Sequence, residues 1–282
     1  MTHFDDAILS ILDLYTALSY KPPHNQHTVL AAFFLSSPST SKVISVATGT
    51  KCLPTAKFSE RGEALHDCHA EVLARRAALR WFLEEIVRYH GPQQSQWICR
   101  NHENGKHHLR SGIQLNIYVS TLPCEPYYYG NVQSRWDICV GGDASMRYLA
   151  TIQDEEMARL KDSSPQPAQA RLDIPISLTV NTNDISSGRD GYSRLGVLRT
   201  KPGRADSPPT ICMSCSDKIA AWNVHGIQGA LGSHALQPLY ISTVVIGGVP
   251  SDDDHLRQMI QEDCERALWA RVANVKGICN HS

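Results

Sequence analysis

The 282-residue chain is 42% hydrophobic and 20% charged, with a formal net charge of -1. No run of about 18 apolar residues exists to cross a membrane, and the charge balance lacks the basic excess common in nucleic-acid binders, so any RNA contact must be local. The acidic start, Met1 to Asp6, has neither the basic flank nor the apolar core of a signal peptide. The protein is therefore expected to be intracellular, in cytoplasm or nucleus, with its 9 Cys reduced and available for metal binding or burial.

Phe4, Ile8, Ile11, Leu12 and Tyr15 recur at helical spacing and predict an opening helix over 4–19, ended by Lys21-Pro22-Pro23. Val29 to Leu35 and Val43 to Ala47 read as a hairpin-like pair of strands, followed by a loop at Thr48-Gly49-Thr50-Lys51. A long helix is expected from about Cys68 to Tyr89, with an apolar stripe through Val72, Leu79, Leu83 and Ile86. Arg76 falls on that stripe, where it either reaches past the core to a carboxylate or has a special role. The segment 102–110 reads as loose. A strand over Ile113 to Ser120 delivers Cys124 just past its end.

Residues 161–193 are rich in Ser, Pro, Asn and Asp and also read as loose. Leu239 to Ile246 is a late strand, and Leu256, Met259, Ile260, Ala267 and Leu268 mark a final helix that Gly277 would stop. Strands interleaved with helices predict one α/β layered domain.

The chemistry sits in His66-Asp67-Cys68-His69-Ala70-Glu71 and in Pro123-Cys124. On a helix, residues two apart diverge by roughly 200°. His69 could then ligate a metal while Glu71 reaches a water without coordinating. That is the division of labour in zinc nucleobase deaminases, where the Glu is not a ligand. His-x-Glu alone arises by chance in many helices. Cys124 is followed by Glu125-Pro126-Tyr127, without the closely spaced second Cys of nucleoside and cytidine deaminases, so a further ligand must come from elsewhere. Cys212 and Cys215 form a Cys-x-x-Cys that, read alone, suggests a zinc knuckle lacking its second pair; Cys52, Cys99, Cys264 and Cys279 have no ligand-like spacing.

Several blocks occur in order: Ala47-Thr48-Gly49-Thr50-Lys51-Cys52, Asp67 to Glu71 with Arg75-Arg76, Pro123-Cys124, Gly196 to Arg204, and Met213 to Ile219. Together they resemble the editase family of RNA-editing adenosine deaminases. Leu198 to Asp206, Trp222-Asn223-Val224 and Ile227 to Leu231 resemble most closely its tRNA-specific branch, which acts on alanine tRNA just 3′ of the anticodon.

The resemblance implies a cytidine-deaminase-like three-layer α/β/α sandwich with a mixed central sheet. It implies zinc on His69, Cys124 and Cys215, with Glu71 as proton shuttle. It further implies inositol hexakisphosphate in a basic cavity lined in part by Lys51, Arg75, Arg76, Lys218, Trp222 and Gln228, although Ala221 replaces an Arg usual in the family. Thr50 resembles the residue that touches the target ribose, and Arg199, Lys201 and Arg204 would lie on the RNA side; each of these cations could equally be a surface charge. The partner implied is tRNA, with no obligate protein partner.

Two departures from the family pattern are expected to matter: an insertion over 125–141, directly behind Cys124, and a domain shortened at its C-terminus. A non-catalytic RNA-binding or scaffold protein that keeps the fold is the alternative reading, and a free-nucleoside or cytidine deaminase a third.

Overall fold

The computed structural model describes residues 3–19, 28–91, 94–121, 186–187, 195, 198–201, 210–247 and 253–275. Helix α1, His3–Ala17, matches the opening periodicity. Strands β1, Leu30–Ser36, and β2, Ser41–Thr48, pair antiparallel across a turn in which Ser37 Oγ accepts the Thr40 amide at 3.1 Å. All of β1 is buried, because it is an inner strand covered on both faces. Its pleat sorts its residues. Ala31, Phe33 and Leu35 join one core cluster, while Leu30, Ala32 and Phe34 join another with Ala7 and Ile11 of α1.

The residues expected to form a loop after β2 make a second, smaller ribbon. Strand β3, Thr50–Cys52, pairs antiparallel with β4, Asp67–His69, placing Thr50 opposite His69 and Cys52 opposite Asp67. The long helix therefore starts later than its periodicity suggested. It is α2, Ala70–Tyr89, with His69 as its N-cap residue in extended conformation.

The core face of α2 also differs from the predicted stripe. Ala70, Glu71, Ala74, Ala78, Phe82 and Glu85 are buried, while Leu83 and Val87 are exposed. This face is offset by one residue from Val72-Leu79-Leu83-Ile86, a rotation of roughly 100°. Alanines bring the helix backbone close to the sheet, and that close approach decides the rotation. Arg76 is consequently exposed, and Glu71 is turned inward.

Segment 102–110 is not loose throughout. Strand β6, His107–Leu109, pairs with β5, Ile98–Arg100, and its other edge bonds the backbone around Leu236. The first pairing is a short hairpin across 101–106 and the second reaches far along the chain, and the polar His-rich stretch signals neither by apolar alternation. Strand β7, Gln114–Val119, then pairs antiparallel with β1.

Most of 161–193 lies outside the described residues; within it β8, Ser186–Ser187, runs parallel to β9, Arg199–Thr200. Helix α3 is Cys215–His225, and a single helical turn follows at Gly229–Gly232. Strand β10, Thr243–Ile246, is shorter than expected because Leu239 peels away. Its carbonyl accepts the Ile227 amide and its amide bonds Gln228 Oε1. Helix α4, Asp254–Leu268, stops before the predicted Gly277, which lies outside the described residues, as do residues 21–23.

The main sheet runs β10-β7-β1-β2, with β10 parallel to β7 and the other pairs antiparallel. Helix α1 covers one face. On the other, Ile219 of α3 and Ile260, Ala267 and Leu268 of α4 share the core cluster of Ala74, Ala78 and Phe82. The result is a three-layer α/β/α arrangement on a mixed sheet. No helix among the described residues is long and apolar enough to cross a membrane.

Candidate active site

Two helix N-termini and the β3–β4 ribbon meet here. The ribbon is tight: a Cβ on Gly49 would stand 1.9 Å from the Cys68 carbonyl oxygen, so only glycine fits, and Gly49 O accepts the Ala70 amide at 3.0 Å. That contact sets where β4 ends and α2 begins. His69 sits at the junction, 2% exposed, and Glu71 lies in the first turn, 3% exposed.

His69 is partnered by Asp67, and Glu71 by Lys218. Asp67 Oδ1 accepts His69 Nδ1 at 2.6 Å and the His69 amide at 3.1 Å, while its Oδ2 lies 2.6 Å from Lys218 Nζ. Lys218, on α3, also donates to Glu71 Oε1 at 3.1 Å. Asp67 and Lys218 thus tie the two helix N-termini together. Burial pushes the Asp67 carboxyl up, but the His69 hydrogen bond and the Lys218 charge outweigh it and hold the group well below the usual carboxylate range. Burial likewise raises Glu71, and Lys218, His69 and a Cys215 hydrogen bond reverse the sign, keeping it ionised. For Lys218 burial opposes the charge, yet Cys215, Glu71 and Asp67 hold the ammonium above its ordinary pKa.

Cys215 is the first residue of α3 and is buried. Its backbone is set by Ser214, whose Oγ accepts the Asp217 amide at 3.2 Å and donates to Asp217 Oδ2 at 2.7 Å. Asp217 in turn accepts the Arg199 amide at 3.0 Å and pairs with Arg271 at 2.6 Å. The chain from Arg199 to Lys201 runs antiparallel to 212–214, with Ser214 N bonding Arg199 O and Lys201 N bonding Cys212 O, each at 2.8 Å. The basic block therefore braces the segment that presents Cys215. Arg199 and Lys201 are each 1% exposed, so neither side chain is a surface cation; Arg204 and Cys124 lie outside the described residues.

The remaining basic positions separate. Arg75 is half-buried, donates from Nε to Ile227 O at 2.6 Å and lies over the Trp222 ring at 5.4 Å. Gln228 is buried, bonding His225 O and the Leu239 amide. Lys51 and Arg76 are exposed, and Lys218 is engaged at the carboxylates.

The profile of the adenosine-deaminase (editase) domain family matches residues 45–278, which spans every element of this site. The chain belongs to that family. Among relatives of this editase domain, the "tRNA-specific adenosine deaminase 1" of Schizosaccharomyces pombe is 34% identical over 205 residues, covering 72% of this chain and 44% of the relative. The protein of the same name from Mus musculus is 29% identical over 295 residues, covering 81% and 58%. The "Double-stranded RNA-specific adenosine deaminase" of Rattus norvegicus is 30% identical over 238 residues, 81% of this chain but 18% of its own. The chain spans about half the length of the tRNA-specific relatives.

Sequence reasoning missed Asp67, Asp217 and Arg271. Asp67 stood inside the quoted motif, and its place two residues before His69 was the available signal. Arg271 had none, since its pairing with Asp217 exists only after α4 packs against α3.

Proposed function

We propose that this chain is a zinc-dependent hydrolase that converts adenosine to inosine in tRNA, at the adenosine 3′ of the anticodon of alanine tRNA. The single observation that carries this reading is the buried His69–Asp67–Lys218–Glu71 network set beside Cys215. Family membership and the names of the tRNA-specific relatives supply the substrate class.

The donor chemistry fits zinc. A carboxylate on the far ring nitrogen of a ligating imidazole is the usual outer partner of a zinc histidine, and Asp67 takes that role on His69 Nδ1. Among the described residues no three His, Cys, Asp or Glu side chains form a metal-holding group, and Cys124, the third implied ligand, lies outside them. Bound by His69, Cys124 and Cys215, zinc would supply a Lewis acid that lowers the pKa of water to about 7.

The chain's own residues do the rest. Asp67 fixes the tautomer of His69, leaving Nε2 as the donor toward the metal side. Glu71, held ionised by Lys218, accepts a proton from the attacking water, passes it to the adenine ring and delivers one to the departing ammonia. Thr50, which lies across the ribbon from His69, would touch the target ribose, and Arg204, outside the described residues, would serve the RNA backbone. Reaching C6 requires the adenosine to be flipped from its stack.

Arg75 supports inositol hexakisphosphate as the second group. It is half-buried beside the like-charged Arg76, and no carboxylate pairs with it among the described residues. A polyanion would complete Arg75 together with Arg76, Lys51, Trp222 and Gln228.

Zinc-loaded protein should convert that adenosine in an alanine-tRNA transcript to inosine, read as a base change on reverse transcription, and Glu71→Gln should abolish the change. Unmodified tRNA from both proteins would overturn the assignment, and tight tRNA binding without inosine would favour a scaffold.

A further inference from the structure

Two thiols that the site does not use share one frame beside it. Cys52 ends β3 and is half-buried; Cys212 is buried, 7% exposed, on the stretch that leads into α3. They are 160 residues apart in sequence yet share their surroundings. Cys52 Sγ lies 3.7 Å from Thr210 Oγ1, the same hydroxyl that accepts the Cys212 amide at 3.1 Å. The His66 carbonyl completes the frame, accepting the Leu53 amide at 2.7 Å and the Cys212 thiol at 3.6 Å. Thr210 and the His66–Leu53 backbone thus bring both cysteines into one frame. Other thiols of the ribbon and hairpin turn elsewhere: Cys68 toward the Leu65 carbonyl, and Cys99 toward His108.

A disulfide needs its sulfurs to close to ~2.05 Å. Here one partner sits at the end of a short, three-residue strand and the other on a stretch outside regular helix or strand, so the closure asks for no movement of the main sheet. The chemistry also divides naturally between the two. Cys52 is the accessible thiol. Burial raises the Cys212 pKa and leaves it the slower nucleophile, suited to resolving an oxidised neighbour and not to meeting the oxidant first.

We propose that Cys52 and Cys212 form an oxidative modification site at which a peroxide closes a disulfide between the β3–β4 ribbon and the segment preceding Cys215. Cys52 attacks the peroxide O–O bond, becoming a sulfenic acid as one oxygen leaves as water. Cys212 sulfur then displaces the sulfenic oxygen as a second water. Both thiol protons are carried off in those waters, each sulfur gives up one electron, and hydrogen peroxide takes up the pair. Reduction by a dithiol reverses the step. The bond joins the strand pair that holds His69 to the chain that presents Cys215, so it would lock the relative position of two implied metal ligands. The proposal does not depend on the activity assigned above.

The test is peptide mapping of the full, zinc-loaded chain treated with hydrogen peroxide, quenched with a thiol alkylator and digested without reductant. A Cys52–Cys212 cross-linked peptide should become the dominant oxidised species, disappear on adding dithiothreitol, and be absent from Cys52→Ser. In Cys212→Ser, Cys52 should remain as a sulfenic acid trapped by a dione probe. If Cys212→Ser fails to fold, Cys52→Ser at the more accessible position and the wild-type map still decide. A Cys212–Cys215 bridge in place of the cross-link would overturn the proposal. So would oxidation of Cys52 to the sulfinic acid while Cys212 stays alkylatable.

Discussion

Helices α2 and α3 both begin at the site, and they begin differently. At α3, Ser214 caps the helix with its own side chain and leaves the next residue, Cys215, to face the site. At α2 the cap position is His69, whose side chain makes no cap bond and is instead turned to Asp67. One helix separates structural capping from chemistry; the other puts a chemical residue where a cap would go. The deficit at α2 is met from outside, by Gly49 O on the Ala70 amide side and by Asp67 on the His69 amide. A functional residue at a helix terminus therefore survives when a neighbouring ribbon takes over part of its structural task.

This comparison can be broken most strongly at Glu71. Glu71→Gln should lower turnover on tRNA by roughly one hundred to ten thousand fold while leaving the unfolding midpoint near wild type, measured by single-turnover inosine formation. Lys218→Met removes the cation that both termini share and leaves Asp67 and Glu71 buried without it. A loss of about 3–5 kcal/mol in urea denaturation is expected, and a loss under 1 kcal/mol would show that the two helix starts are not coupled through Lys218.

On the packing that orients α2, Ala74→Leu should cost about 1–3 kcal/mol by forcing the helix off the sheet. The same change at exposed Ala77 should cost nothing measurable in a thermal melt. Ser214→Ala, which strips the α3 cap, should destabilise by about 0.5–2 kcal/mol and weaken zinc retention, followed by metal release on dialysis.

The smallest effect is expected at the far end of α2. Burial holds His107 below its ordinary pKa, so the unfolded chain takes up its proton first. Its share of stability is complete above about pH 6.5 and is lost as pH falls toward the lower folded value. His107→Phe should flatten the stability profile across that window, checked by melts at stepped pH.

Much of the fold was legible in the residues. Strand β1 is apolar from Leu30 to Leu35, β7 carries Leu115, Ile117, Tyr118 and Val119, and α1 and α4 have clean helical spacing, so each announces itself locally. What failed to show were short strands held in place by their partners. Strands β3 and β4 are three residues each and pair across a polar loop, and β6 is held by β5 and by Leu236. Strand β10 was overextended because Leu239 looks like a strand residue but bonds the turn at 226–228.

The candidate site divides along the same line. The residue types and their order, His69, Glu71 and Cys215 with the basic blocks around them, can be read in one dimension, since donor chemistry belongs to the side chain itself. Tertiary structure alone decided that His69 ends a strand instead of starting a helical turn. It decided that α2 turns Glu71 inward and Arg76 out, that Arg199 and Lys201 are buried braces, and that Cys52 and Cys212 share the surroundings of Thr210. Hydrophobic periodicity states that a helix has an inner face, but the closest approach of Ala74 and Ala78 to the sheet selects which one.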